Sequence, residues 1–414
     1  MLNHTKNHTK KETKHILITG ATGVMGGRVL LEILTTTDAS VYCLIRAENN
    51  SQALARLEDF LFTYDQEKRS RDQLHRVIPV LGDITKTDLG LTAELYSALT
   101  GKIDKVIHCA AWTSLVASYG RLAPVNVSGT RNIVEFCLQG NIPMLYTSSF
   151  SVVGEHLYRD GFILHETDLD VGQRFDDMDY ERTKFESEQA VHRAGEKGLK
   201  WVIVRPGNIW GDSTDGSYPL RQTKVKGIYY EMLRALVETG LTFNSQEDFD
   251  ISPVDYVAKA SLYAILDIEK FNGKTLHLTA PNPITFNDIV FFLREFGYRI
   301  QTVDNDDYME ALAQNCLYLN GKPYRSVFTD ILALAHNGIE MNEKAKYATA
   351  MTMDLLSGSG IQCPPSDKTL LFRYFNYLIA SDFIPPPQQQ GEKGEIRKMS
   401  AQSGYLENLF DADL

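Results

Sequence analysis

The chain has 414 residues, 43% of them hydrophobic, enough to bury a large core and more than one compact unit. Its formal net charge of −11 argues against a nucleic-acid binder, which needs a basic face to neutralise phosphates. No apolar stretch approaches the roughly 18–20 residues of a membrane span, and the cysteines at 43, 109, 137, 316 and 363 form no C-x-x-C pair, so free thiols in a reducing cytoplasm are expected rather than disulfides or a metal site.

Residues 1–14, MLNHTKNHTKKETK, lack the apolar core of a secretory signal and read as a disordered basic tail. Apolar runs then recur at 15–19 (HILIT), 41–45 (VYCLI), 77–81 (VIPVL), 105–110 (KVIHCA), 143–148 (PMLYTS), 201–205 (WVIVR) and 274–280 (KTLHLTA). They are rich in Val, Ile and Leu and do not alternate with polar residues, the pattern of strands buried on both faces of a parallel sheet. Segments of helical spacing separate them: Val29, Leu30, Ile33 and Leu34 share one face, as do Leu54, Leu57 and Leu61. Alternation of this kind predicts an α/β fold with a doubly wound parallel sheet. After Pro281 the texture changes. Thr285 and Asp288 form a capping-box pattern opening a helix through FNDIVFFLREFG, and further helical patterns follow near 305–316 and 366–380. The expected organisation is a nucleotide-binding domain over 15–282 and a smaller, mostly helical C-terminal substrate lobe over 283–386, with 213–250 contributing to the lobe. The PPP at 385–387 ends the last helix, and 387–414 reads as a flexible tail.

Gly20, Gly23 and Gly26 make G-x-x-G-x-x-G, with Thr22 and Met25 inside it, between the first strand and the first helix. The first glycine permits a tight turn, the second lets backbone approach a pyrophosphate, and the third lets helix pack close to strand. Backbone N–H groups and the helix dipole then face the phosphates. An ordinary turn is the plainer alternative, but the first βα unit is where a dinucleotide fold needs this loop. At the end of the second strand stands Arg46. An acidic residue there would bond the ribose 2′-hydroxyl of NAD, whereas a guanidinium favours the 2′-phosphate of NADPH; the alternative is a surface arginine at a strand end.

In DYERTKFESEQA, Tyr180 and Lys184 lie four apart, on one helix face. A nearby ammonium lowers a phenol's pKa and fits it for proton transfer to a carbonyl oxygen. Alone, the pair would be a solvated helix face. Three features add to it: Ser149 in LYTSSFSVVG, a hydroxyl that can orient the same oxygen; Asn126 in PVNVSGTRNIVEFC, either functional or a satisfied core amide; and VIVRPGNIWG, where a strand runs into Pro206 beside the expected nicotinamide.

Together these residues resemble the extended short-chain dehydrogenase/reductase superfamily, and within it the thioester reductase domains that end nonribosomal peptide synthetases and carboxylic acid reductases. VYCLIRAENNSQALARL, VLGDIT, VIHCAAWTS, NVSGT, ISPVDYVAKA, LHLTAPNPITFNDIVFFLREFGY and IQCPPSDKTLLFRYFNYLIASDFIPPP carry the likeness. It implies a Rossmann-type fold and a Ser149–Tyr180–Lys184 triad, where threonine is commoner at the first position. Gly20, Thr22, Gly23, Met25, Gly26, Arg46, Asp83, Ile84, Ala110, Ala111 and Pro206 would line the cofactor, with Tyr180 and Lys184. Asn126 would shape a proton relay.

The implied reaction is NADPH-dependent reduction of an acyl or peptidyl phosphopantetheine thioester on a carrier protein to an aldehyde, and in some relatives to an alcohol. No adenylation or carrier domain precedes the reductase, so action in trans or excision from a larger synthase is expected. Arg221, Lys224 and Lys226 of RQTKVKG are candidates for steering an acidic carrier, or else a solvated surface. The competing readings are an acyl-CoA reductase, an NAD-dependent sugar-nucleotide epimerase or dehydratase, and a non-catalytic NADPH sensor or scaffold.

Overall fold

All seven apolar runs become strands of one parallel sheet: β1 (His15–Thr19), β2 (Ser40–Ile45), β3 (Val77–Leu81), β4 (Lys105–His108), β5 (Met144–Thr147), Trp201–Pro206 and Lys274–Leu278. The structure, a computed structural model, describes residues 13–115, 117–222, 227–316 and 344–387; Lys224, Lys226 and nearly all of both expected tails lie outside them. Strand order is 274–278, 201–206, β5, β4, β1, β2, β3. Both faces are apolar because successive side chains point to opposite sides. In β1, Ile16 and Ile18 pack with α1 (Val24–Thr36), α2 (Asn50–Tyr64) and the Val254–Leu266 helix. Leu17 packs on the other side with α3 (Ala93–Thr100) and, beyond α4 (Tyr119–Ala123), α5 (Gly129–Gly140) and α6 (Asp179–Glu196). Pro79 is tolerated because β3 is an edge strand. The chain leaves β1 toward β2 and returns on its other side at β4, so a crevice opens at the carboxyl ends of β1 and β4.

A second apolar cluster draws on three separate stretches. Trp210, Tyr230, Leu233 and Phe249 pack with Phe286, Ile289 and Leu293, and with Leu371, Tyr374 and Phe375. The Phe286–Phe296 helix opens on the Thr285–Asp288 capping box. Residues 350–363 do not join this cluster. Leu355, Leu356, Ile361 and Cys363 pack on the first core, and Thr352 Oγ1 accepts the N–H of His277 on the outer edge of the sheet. Arg28 of α1 reaches the second cluster's entry loop: its Nε donates to Asp212 at 2.8 Å and its Nη1 to Glu32 at 2.8 Å, with Arg28 and Asp212 both buried.

Arg205 is wholly buried in the 201–206 strand. Its Nε and Nη2 donate to the Glu188 carboxylate of α6 at 2.9 and 2.7 Å, its Nη1 to His277 Nε2 at 3.2 Å, and its Nη2 also to the Asp168 carbonyl at 2.7 Å. His277 donates Nδ1–H to the Ala348 carbonyl at 2.7 Å. Burial, with the Arg205 charge beside it, pushes this imidazole down to about 3, so it stays neutral.

Candidate active site

Gly20 ends β1 with φ +75°, and a Cβ there would lie 2.7 Å from the backbone nitrogen of Ala110. The turn is thus tight, left-handed and pressed against the end of β4, a conformation and a clearance that favour glycine. Gly23 is the N-cap of α1. No side chain caps that helix, and no acidic residue stands in its first turn, which leaves its N-terminal dipole open to an anion. A Cβ on Gly26 would overlap the carbonyl oxygen of Gly20, so this glycine serves close packing of helix on turn, as does the buried Met25 beside it.

A cavity of about 740 Å³ opens over the loop. Of the expected residues, Gly20, Thr22, Gly23, Arg46, Asp83, Ile84, Ala110 and Ala111 line it. Asp83 is held by its own turn, its carboxylate accepting from the N–H and hydroxyl of Thr85 at 2.9 Å each. Met25 and Gly26 lie behind the wall, and the lining does not include Pro206, Tyr180 or Lys184. Sequence reasoning missed two residues here. Arg56 of α2 lines the cavity beside Arg46 and donates Nη1 to the Arg46 carbonyl at 2.5 Å. The spacing of Gln52, Arg56 and Phe60, each four apart and thus on one helix face, is the signal that would have found it. Gln222, two residues past Leu220 of the second cluster, donates to Asp59 at 3.1 Å, and both line the cavity. Its neighbour Arg221 is exposed. A tight glycine turn and an uncapped helix N-terminus fit the pyrophosphate of a dinucleotide, and two guanidinium groups stand at the far side of the cavity.

Cys109, on the cavity wall, links it to the triad. The Thr147 hydroxyl donates to its sulfur at 3.4 Å, and Lys184 Nζ donates to the Thr147 carbonyl at 2.9 Å. Burial pushes the Cys109 thiol up to about 11. Lys184 is buried, with its ammonium 5.1 Å from the centroid of the Tyr146 ring; desolvation pushes it down to about 8, against the pull of Cys109 and Glu188. Ser149 caps the 3₁₀ turn that follows β5, and its Oγ lies 2.8 Å from Ser151 Oγ. Its hydroxyl lies near enough to the Tyr180 phenol to act on it.

The phenol does not follow the expectation of a lowered pKa. Desolvation, and then the Glu181 carboxylate, raise it above its ordinary value, and the nearby Ser149 hydroxyl only partly offsets them. Lys184 donates to Thr147 instead. Asn126 also differs from the expected relay. It sits in the π-helical turn Pro124–Ser128, 1% exposed, and its Oδ1 accepts the Trp112 N–H at 2.8 Å. Its Nδ2 donates to the Trp112 carbonyl at 3.1 Å and to Thr183 Oγ1 at 3.0 Å. Both amide hydrogens are committed, so it clamps the loop after β4 to α6.

Glu181, beside Tyr180, is pushed up to about 7, by burial first and then by Asp179. A raised carboxyl means that the folded chain holds this proton more tightly than the unfolded one. Its contribution to stability is complete below about pH 4.5 and is lost as pH rises through about 7. Glu181→Gln is therefore expected to flatten the fall in melting temperature between pH 5 and 7.5; an unchanged slope would assign that fall to other groups.

A family profile described as Male sterility protein matches residues 18–261. The isonitrile lipopeptide synthase of Streptomyces coeruleorubidus is 27% identical over 389 residues, which are 90% of this chain and 25% of that protein, so the chain spans about a quarter of this relative's length. Among solved structures, the terminal R domain from the myxalamid PKS-NRPS biosynthetic pathway superposes with a TM-score of 0.79 at 26% identity, covering 91% of this chain and 93% of that one. A thiolation-reductase di-domain from an archaeal non-ribosomal peptide synthetase gives 0.74 at 26% identity, covering 90% of this chain and 76% of the other. With its glycine turn, parallel sheet and Ser-Tyr-Lys group, the chain belongs to the male sterility protein family, a nicotinamide-dinucleotide-binding reductase domain of extended short-chain dehydrogenase/reductase fold.

Proposed function

We propose that this chain is an NADPH-dependent thioester reductase, which releases an acyl or peptidyl group from the phosphopantetheine of a carrier protein as an aldehyde. The observation that carries the reading is the grouping of Ser149, Tyr180 and Lys184 at the carboxyl edge of the sheet, joined through Thr147 and Cys109 to the cavity over the glycine loop. The R domain and the thiolation-reductase di-domain, similar over nine-tenths of the chain, support the carrier as partner. Gly20–Gly23 and the N-terminus of α1 would hold the pyrophosphate, Arg46 and Arg56 the 2′-phosphate, and Lys184 the nicotinamide ribose.

When bound, NADPH supplies a hydride to the thioester carbonyl carbon. Desolvation of its hydroxyl raises the Tyr180 pKa, so the phenol keeps its proton through neutral pH and remains an acid able to protonate the oxygen as negative charge develops there. Ser149 orients that oxygen. The resulting hemithioacetal gives its hydroxyl proton to the departing sulfur as the C–S bond breaks, leaving aldehyde and free thiol. A second round on the aldehyde would give the alcohol.

The test is NADPH consumption on a panel of carrier-bound and CoA thioesters, with the product's mass measured. Aldehyde or alcohol from carrier-bound substrates supports the proposal; equal or better rates on CoA would favour an acyl-CoA reductase, and no product from any thioester would overturn it. Cofactor choice is tested separately. Charge-assisted bonds to phosphate contribute roughly 1.5–3 kcal/mol each. Arg46→Ala and Arg56→Ala are therefore each expected to raise KM for NADPH about tenfold or more while leaving KM for NADH nearly unchanged. Equal effects on both cofactors would remove the 2′-phosphate assignment.

A further inference from the structure

A buried line of hydrogen bonds runs from the cofactor cavity to the catalytic helix. The Ala110 N–H donates to Thr19 Oγ1 at 3.2 Å, and both residues line the cavity. Thr19 Oγ1 lies 2.6 Å from His108 Nδ1, and His108 Nε2 lies 3.0 Å from Thr130 Oγ1. The Thr130 hydroxyl donates to the Asn126 carbonyl at 2.5 Å. Its one hydrogen is thereby committed, so toward His108 it accepts. Nε2 therefore carries the ring proton, Nδ1 is the acceptor, and Thr19 donates to it. Every hydroxyl in the line is oriented the same way. Thr19, His108, Asn126 and Thr130 are each no more than 1% exposed.

The line ends at the π-helical turn. The Ser187 hydroxyl of α6 shares its one hydrogen between the Asn126 carbonyl at 2.9 Å and the Thr183 carbonyl at 2.7 Å, while the Asn126 side chain holds Thr183, whose hydroxyl donates to the Tyr180 carbonyl at 2.7 Å. Cavity wall and catalytic helix thus share one set of partners through His108. Burial, and then Lys184, press the imidazole down to about 3, so it keeps this neutral form across the working pH range.

We infer that His108, with Thr19 and Thr130, is a positioning group that transmits occupancy of the dinucleotide cavity to the helix bearing Tyr180 and Lys184, fixing the distance between cofactor and proton donor. The inference rests on the reductase reading for its catalytic meaning, but the coupling can be measured without turnover.

The experiment is amide hydrogen exchange of the full chain with and without saturating NADPH, on the native protein, Thr19→Val, Thr130→Val and the double variant, alongside NADPH affinity and kcat. Thr130 does not line the cavity, so Thr130→Val is expected to bind NADPH within about twofold of the native protein. NADPH should protect the glycine loop in all four proteins. Protection of 124–130 and 183–187 should appear in the native protein and fall by at least half in each valine variant. The double variant should lose no more than the worse single, because one line is broken only once. Thr130→Ser, which restores the hydroxyl, should restore protection. Where the native enzyme turns over a thioester, kcat should fall about tenfold in Thr130→Val with KM for NADPH unchanged. Undiminished protection of α6 in both valine variants, or losses that add in the double, would overturn the coupling. Failure of the native enzyme on every thioester would overturn the proposed function while the exchange data still decide the coupling.

Discussion

Tyr180→Phe is expected to lower turnover by roughly 10²–10⁴-fold, the range that a positioned general acid contributes. The substitution removes one oxygen from a half-buried ring and leaves the glycine loop, Arg46 and Arg56 untouched, so NADPH affinity should stay within a few-fold. The phenol lies beside the Ser149 hydroxyl, and desolvation raises its pKa, so it holds a proton that it can give to an oxygen placed there. Single-turnover measurement with a carrier-bound thioester separates the chemical step from release. A variant with native turnover would remove Tyr180 as the acid; a variant that binds no NADPH would show that the ring shapes the cofactor site instead.

The second large effect concerns stability. Glu188→Leu leaves the Arg205 guanidinium wholly buried with its carboxylate partner gone. Breaking a buried pair from one side costs about 3–5 kcal/mol, because the remaining charge has no compensation. His277 cannot supply it: the ring is neutral and its Nε2 already accepts from Arg205. The variant should show a markedly lower denaturation midpoint, and Glu188→Leu combined with Arg205→Met should recover much of the loss, since an apolar pair of similar volume has no charge to desolvate. Equal midpoints for native and Glu188→Leu protein would mean that the pair contributes little, and no recovery in the double variant would locate the damage in packing.

The strands were legible because burial on both faces favours short unbroken runs of Val, Ile and Leu; HILIT and WVIVR are too short for a buried helix and rich in β-branched residues, which reads as strand in a chain of alternating units. The glycine loop was legible because its residues act locally, through turn geometry and close packing. What escaped detection depends on contacts across the fold. Arg56 and Gln222 become neighbours of Arg46 only when α2 and the stretch after the 201–206 strand meet over the cavity. The upward shift of Tyr180 reflects burial and Glu181, and a spacing rule sees only Lys184. The clamp role of Asn126 needed the π-helical turn, which no residue preference announces. Likewise 350–363 reads as part of a helical C-terminal stretch, yet its apolar residues close the edge of the sheet.

The ion pair between Arg28 and Asp212 bears on how such enzymes are recombined. Arg28 belongs to the helix that begins at the glycine turn, and Asp212 to the entry of the second apolar cluster. A chimaera that grafts 210–251 and the later helices of a relative onto this nucleotide-binding half inherits the guanidinium whatever the donor brings. Unless the graft places a carboxylate at the same spot, the buried Arg28 guanidinium keeps Glu32 but loses its partner across the junction, so crossover points should be chosen to keep Arg28 and Asp212 together.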